Sequence, residues 1–90
     1  ACYAASKAGL IQLTKWLSKI LSPKINVNST SLGGILRGQN KKFIRAYSKK
    51  TSIKRMASED DFVGIIALLA SDASGYITGQ NIIVDGGWGN

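Results

Sequence analysis

Tyr3 and Lys7 are the residues near the start of the chain whose types and spacing could do chemistry. They are four residues apart, and on a helix residues at this spacing share one face. A phenol is a weak acid at neutral pH, with a reference pKa of about 10, and a nearby ammonium group favours its ionised form. A Tyr–Lys pair in a cleft could therefore exchange a proton with an alcohol or carbonyl oxygen. The pair alone favours a plainer interpretation, a half-buried tyrosine beside a solvated lysine.

The composition of the chain excludes several kinds of site. The 90 residues include no histidine, which excludes a Ser-His-Asp triad and histidine-ligated metal sites within this chain. The single cysteine, Cys2, cannot form an internal disulfide, so we expect a reducing, cytoplasmic setting. We expect Cys2 to be a small buried hydrophobic residue. No apolar run is long enough to span a bilayer, and we therefore expect no membrane-spanning segment.

Apolar periodicity predicts an α/β chain in the order helix, strand, short helix, helix, strand. The predicted ranges are 4–21, 25–29, 41–49, 59–71 and 81–84. The helix over 59–71 is apolar almost all round, so we expect it to be buried against a sheet, with Ser58 accepting backbone N–H groups as its cap. Strands separated by helical crossovers indicate a parallel sheet with helices on its faces, which two strands cannot form alone.

Charge is distributed unevenly along the chain. The net charge is +7; all twelve lysines and arginines precede residue 56, and all five acidic residues follow residue 58. The stretch from Arg37 to Arg55 is basic, carries Phe43 and Tyr47, and is predicted to be exposed and mobile. Basic residues meet phosphates and aromatic rings stack on bases, so a small nucleic-acid-binding domain is one alternative, although no recognisable nucleic-acid-binding motif is present.

Six short motifs, taken together, resemble the C-terminal half of a short-chain dehydrogenase/reductase. They are YAASKAG (3–9), INVNS (25–29), LGGI (32–35), RMASED (55–60), YITGQ (76–80) and VDGG (84–87), and they occur in the family's order and spacing. The resemblance implies a Rossmann-like, doubly wound parallel sheet. Residues 1–90 would then be the C-terminal fragment of a single NAD(P)-binding domain, with an active-site helix over 1–21 and a substrate lid over 36–55.

The resemblance also implies roles for individual residues in transferring a hydride between a nicotinamide cofactor, NAD or NADP, and an alcohol or carbonyl substrate. Tyr3 would be the general acid/base on the substrate oxygen. Lys7 would promote ionisation of that phenol and bind the nicotinamide ribose. Both would contact the cofactor, and Leu32, Gly33 and Ile35 would belong to the loop that contacts the nicotinamide.

The predicted lid contains a candidate set for recruiting an anionic substrate, namely Arg37, Lys41, Lys42 and Arg45. The family usually has proline at the position of Leu32 and threonine at that of Arg37. Arg37 could therefore meet a cofactor phosphate, or it could point to solvent. A solvated helix face is the alternative interpretation of the whole set.

The resemblance places the glycine-rich dinucleotide turn and the family's catalytic serine before Tyr3. We therefore expect the 90-residue chain to be a fragment or a truncated product that is inactive alone, and a non-catalytic truncated protein is the other alternative. We expect the full-length protein to be a homo-oligomer that acts on a small molecule. Ile11 and Trp16 widen the apolar surface of the first helix and are candidates for a subunit interface.

Overall fold

The computed structural model describes residues 1–90 and divides into two compact units. One unit comprises Ala1–Thr30 with Ala67–Ile82, and the other comprises Ser31–Ile66 with Ile83–Asn90. The elements in chain order are helix α1 (Cys2–Leu21), strand β1 (Ser29–Leu32), helix α2 (Lys41–Lys50), helix α3 (Asp60–Leu69), a 3-10 helix (Asp72–Ser74) and strand β2 (Asn81–Val84). Strands β1 and β2 form a two-stranded parallel sheet, which confirms the α/β class predicted from the sequence.

Helix α1 begins two residues before its predicted start and ends where the sequence predicts. It ends at Leu21 because Ser22 is extended and Pro23, which has no N–H to donate, cannot continue the helix. Cys2 opens the helix and is exposed, so the expectation of a buried cysteine is wrong. No segment of the chain covers this end, since the first ten residues are all exposed.

The side chains that helix α1 buries are polar. Thr14 and Ser18 are buried, and their hydroxyls donate to backbone carbonyls of the same helix at 2.9 and 2.6 Å. Its large exposed apolar side chains include Leu10, Leu13, Trp16 and Ile20. An apolar face of α1 is therefore left uncovered by this chain. None of the helices combines the length and the apolar character needed to cross a membrane.

The strand predicted over 25–29 is wrong, because regular pairing begins only at Ser29. Two asparagine side chains precede it. The Asn26 and Asn28 amide nitrogens donate to backbone carbonyls of the segment 75–77 at 3.2 and 3.0 Å, and the Asn28 side-chain oxygen accepts the Gln80 N–H at 3.0 Å. These side chains satisfy backbone groups that a strand ladder would otherwise pair.

Helix α2, in the second unit, extends one residue beyond its predicted end. It begins after Asn40, whose side-chain oxygen accepts the Phe43 N–H at 2.8 Å, and Lys49 and Lys50 lie in its last turn, where the helix dipole favours positive charge. The next residue, Thr51, is only 2% exposed. The sequence predicted that the whole stretch 37–55 is exposed, and the burial of Thr51 shows that this is wrong at one residue.

Helix α3 is shorter than the predicted range 59–71, and its cap differs. The Asp61 carboxylate accepts both the Ser58 N–H, at 2.7 Å, and the Ser58 hydroxyl, at 3.3 Å. The hydrogen bonds of the Ser58 side chain thus include a donation to Asp61, in place of the expected bond from a backbone N–H. The helix buries Phe62 but leaves Val63 61% and Ile66 54% exposed, so the predicted all-round burial does not occur within this chain.

Candidate active site

The first unit contains the Tyr3–Lys7 pair, one turn apart at the start of α1. The Lys7 Nζ lies 5.5 Å from the centroid of the Tyr3 ring, within cation–π distance. Tyr3 is 74% exposed, so its hydroxyl is open to a ligand, contrary to the plainer half-buried interpretation. The structure therefore brings together a phenol and an ammonium group that could contact one bound oxygen-rich molecule.

The second unit contains the loop after β1, whose backbone N–H groups are almost all engaged. The Gly33 N–H donates to the Val84 carbonyl at 2.9 Å, and the Leu36 N–H donates to the Ala57 carbonyl at 2.8 Å. The N–H groups of residues 34 and 37 donate to side-chain oxygens at 2.6 and 2.8 Å. Among the five N–H groups of residues 33–37, only that of Ile35 has no acceptor within the chain. It is the one donor that this loop can offer to a ligand.

Both glycines of this loop are required by the packing of the chain itself. A Cβ at Gly33 would lie 2.8 Å from the Asp85 Cα, and a Cβ at Gly34 would lie 2.7 Å from the Tyr47 Cζ. Real Cβ atoms essentially never approach other atoms so closely. Leu32 ends β1 with its side chain 45% exposed. Both positions are glycine because Asp85 and Tyr47 approach the backbone closely there, and not because the dihedral angles are unusual.

Acidic residues at the start of α3 pair with two arginines of the predicted lid. The Arg37 guanidinium forms a hydrogen-bonded ion pair with Glu59, and the Arg55 guanidinium contacts both Asp61 carboxylate oxygens at 2.7 and 2.8 Å. The Arg55 side chain, followed by the Ser58 N–H, lowers the pKa of Asp61 well below its ordinary value. The hydrogen bond from Arg37 likewise lowers the pKa of Glu59. Both pairs are largely exposed, so we assign them little energy of their own.

Three of the four candidate lid residues remain without an acidic partner. Lys41, Lys42 and Arg45 are exposed residues of α2, and neither of the two ion pairs includes them. Arg37 differs, because it is held by Glu59. The predicted set therefore separates into one paired arginine and three free cations on one helix.

Tyr47 and Trp88, which none of the sequence motifs assigned to the site, lie beside the loop. The Tyr47 hydroxyl accepts the Gly34 N–H, and its ring stacks on Trp88 with centroids 5.9 Å apart. The loop glycines, Tyr47 and the Arg55–Asp61 pair line part of a cavity of about 210 Å³. The only sequence signal for this aromatic contact was the presence of Phe43 and Tyr47 within the basic stretch. Nothing in the local pattern indicated that Trp88, 41 residues further on, stacks on the same ring.

Comparison with known proteins gives matches over nearly the whole chain. The family model described as enoyl-(acyl carrier protein) reductase matches residues 1–89. The chain is 40% identical over 88 residues to the post-translational flagellin modification protein A of Campylobacter coli, covering 97% of this chain and 34% of that protein. It is 41% identical over 95 residues to the ribulose-forming D-arabinitol 2-dehydrogenase of Candida tropicalis, covering 96% of this chain and 34% of that protein.

A solved structure is similar in fold as well as in sequence. The short-chain dehydrogenase of Leptospira borgpetersenii, crystallised with bound NAD+, superposes with a TM-score of 0.91 at 45% identity, covering 96% of this chain and 34% of that one. The present chain spans about a third of the length of each of these three relatives. The structural neighbours are Rossmann-fold oxidoreductases, which confirms the fold that the motifs implied. Together these matches show that the chain belongs to the short-chain dehydrogenase/reductase family.

Proposed function

We propose that residues 1–90 carry the proton-transfer half of an NAD(P)-dependent oxidoreductase that interconverts an alcohol and a carbonyl compound. One observation carries the proposal: an exposed phenol, Tyr3, has the Lys7 ammonium 5.5 Å from its ring centroid on the same helix. General acid–base groups of this kind typically contribute a factor of about 10² to 10⁴ to the rate. Membership of an oxidoreductase family supports the assignment.

In this mechanism Tyr3 handles the proton. During reduction its hydroxyl donates a proton to the carbonyl oxygen of the substrate, and during oxidation the phenolate accepts the proton of the alcohol. Lys7 supplies positive charge beside the ring, which stabilises negative charge on the phenol oxygen. Lys7 also offers N–H donors to a ribose hydroxyl. The nicotinamide cofactor, when bound, supplies or accepts the hydride.

The loop after β1 fits a nicotinamide carboxamide in one respect. The Ile35 N–H is unused within the chain, and an N–H donor is what a carboxamide oxygen requires. We propose that Ile35 makes this hydrogen bond, that Gly33 and Leu32 shape the loop, and that Tyr3 and Lys7 complete the contacts of this segment with NAD or NADP. The NAD+ bound to the Leptospira relative supports a nicotinamide cofactor.

We further propose that the chain is the C-terminal fragment of one NAD(P)-binding domain, inactive without the preceding part, within a cytoplasmic homo-oligomer. Its coverage of about a third of its relatives supports the first point. Ile11 and Trp16 remain the candidates for a subunit interface, and Trp16 is 57% exposed here. Light scattering on the full-length protein tests whether it is a homo-oligomer, and a stable, active monomer would contradict this proposal.

The first experiment is to read the coding sequence upstream of residue 1. A glycine-rich dinucleotide turn and a serine shortly before Tyr3 are the expected result, and their absence from an intact reading frame would overturn the proposal. The full-length protein can then be assayed with NADH and NADPH against small carbonyl compounds.

The decisive variants are on α1. Tyr3→Phe should lower kcat by about 10² to 10⁴ while leaving cofactor affinity nearly unchanged, because only the exchangeable proton is lost. Lys7→Ala should lower kcat and weaken cofactor binding together. Lys19→Ala is the matched control, since it removes an exposed lysine of the same helix. Near-normal turnover by Tyr3→Phe would show that the phenol does not carry the proton.

The three free cations of α2 favour a negatively charged substrate. We propose that Lys41, Lys42 and Arg45 recruit a phosphorylated or carboxylated substrate to the lid, with Arg37 held aside by Glu59. Exposed charge of one sign near a cleft raises the encounter rate of opposite charges, and salt screens the effect. The same charges are all that favours nucleic acid as a partner, and the family assignment favours a small molecule instead.

A further inference from the structure

Tyr47 connects helix α2 to the loop that carries the free Ile35 N–H. Its hydroxyl oxygen accepts the Gly34 N–H at 2.6 Å. Its ring is stacked with two other rings, with the Phe43 centroid at 6.1 Å and the Trp88 centroid at 5.9 Å. Stacking fixes the direction of the ring, and therefore fixes where the hydroxyl oxygen lies. Tyr47 thus links helix α2 to the loop through one hydrogen bond.

Backbone bonds to Val84 and Ala57 also hold the loop, including the bond from the Leu36 N–H to the Ala57 carbonyl at 2.8 Å. The Gly33 N–H is bonded to Val84, and the Gly34 carbonyl accepts the Ala57 N–H at 3.0 Å. The Gly34 carbonyl and the Ile35 N–H belong to one planar peptide group and point in opposite directions. Pairing of that carbonyl with Ala57 therefore turns the Ile35 N–H away from Ala57, and the bond from Tyr47 fixes the peptide plane immediately before it.

The space around Gly34 shows how close this contact is. A Cβ there would lie 2.7 Å from Cζ, 2.9 Å from the hydroxyl oxygen and 3.1 Å from Cε2 of Tyr47. The Gly34 backbone has no positive φ, so an alanine would be acceptable to the dihedral angles and would conflict only with the ring. Gly34→Ala therefore disturbs the same contact from the opposite side.

We propose that Tyr47 is a positioning residue, which holds the Gly34 amide so that the Ile35 N–H presents a correctly oriented donor to the nicotinamide carboxamide. The proposal rests on the proposed function, in which that carboxamide is the ligand. It has a consequence for the lid: α2 carries the hydroxyl, so displacement of α2 breaks the bond to the Gly34 N–H and weakens cofactor binding. Position of the lid helix and affinity for the cofactor are coupled through one hydrogen bond.

The test compares Tyr47→Phe with wild type in the full-length protein. Phenylalanine keeps the stacked ring and removes only the acceptor of the Gly34 N–H. Loss of one hydrogen bond of ordinary net strength corresponds to about a fivefold change in an equilibrium constant, so the Kd for NADH or NADPH should rise about fivefold. The matched control is Tyr76→Phe, which removes the same atom from a fully exposed tyrosine and should leave the Kd unchanged.

Amide hydrogen exchange at Gly34, measured without cofactor, distinguishes the Tyr47–Gly34 contact itself from its effect on cofactor affinity. Tyr47→Phe should speed this exchange, and Tyr76→Phe should not. Faster exchange with an unchanged Kd would overturn the positioning role, and unchanged exchange would overturn the contact itself. If wild type binds neither NADH nor NADPH, the proposed function fails and the positioning role fails with it, whatever the exchange shows.

A double-mutant cycle gives a second, independent measurement. Gly34→Ala should also raise the Kd, and the double variant with Tyr47→Phe should be weaker than wild type by less than the product of the two single effects, because both changes break one contact. Fully multiplicative effects would show that Gly34 and Tyr47 influence the cofactor separately, and would contradict the proposal.

Discussion

Residues 1–90 expressed alone should associate instead of forming a stable monomer. Their accessible surface is 6797 Å². A compact monomer of 9.6 kDa exposes about 5,100 Å², so this chain exposes an excess of about 1,700 Å². A standard protein–protein interface buries about 1,600 Å² in total, or about 800 Å² from each partner, so the excess of one chain is about twice that share. The uncovered apolar face of α1 contributes to the excess, and large exposed apolar patches drive association.

Sedimentation velocity over a range of concentrations, with far-UV circular dichroism on the same samples, measures this association. Replacing Leu13 and Trp16 together by glutamate should shift the chain toward monomer, because both are exposed apolar residues of α1. Gln12→Glu is the control, since it adds negative charge at an exposed polar position on the same helix. A wild-type chain that stays monomeric at all concentrations and unfolds in one cooperative thermal transition would contradict the predicted association.

Further changes in the full-length protein have expected outcomes. Thr51→Val should lower the free energy of unfolding by about 1–3 kcal/mol in chemical denaturation. The hydroxyl of this buried residue accepts the Arg55 N–H at 3.1 Å, and no other acceptor replaces it. Thr30→Val is the control. Since the folded pKa of Asp61 lies below its unfolded value, its contribution to stability is present above about pH 4 and lost as pH falls further, and Asp61→Asn should remove that part of the acid dependence. Replacing the free cations of α2 by glutamine should lower kcat/KM for an anionic substrate and flatten its salt dependence, while equal losses for a neutral substrate would indicate a structural role. The residues concerned are Lys41, Lys42 and Arg45.

Elements whose signals are local could be predicted from the sequence. The periodicity of α1 and the Pro23 stop predicted its end correctly. The predicted range 41–49 differs from α2 by one residue. The strand over 25–29 failed because alternation of apolar and polar residues cannot show that the polar ones, Asn26 and Asn28, bond to a distant turn.

The candidate site was predictable in its residue types and not in its connections. The spacing of Tyr3 and Lys7 was sufficient to place them on one helix face. The pairing of Arg37 with Glu59 and the bond from Gly34 to Tyr47 join residues 22 and 13 positions apart, and nothing in the local pattern specifies such contacts. Burial was overestimated for α3. Its apolar composition shows how much surface the helix could bury, but this chain contains no segment that covers all of that surface.

The tight contact between positions 34 and 47 has an evolutionary consequence. A side chain at position 34 and an aromatic ring at position 47 compete for one volume, since a Cβ at Gly34 would lie 2.7 Å from the Tyr47 Cζ. Selection should therefore have changed the two positions together. Relatives with alanine or a larger residue at the first position should carry a small or aliphatic residue at the second, and ancestral sequences that pass between the two states should do so through the glycine intermediate.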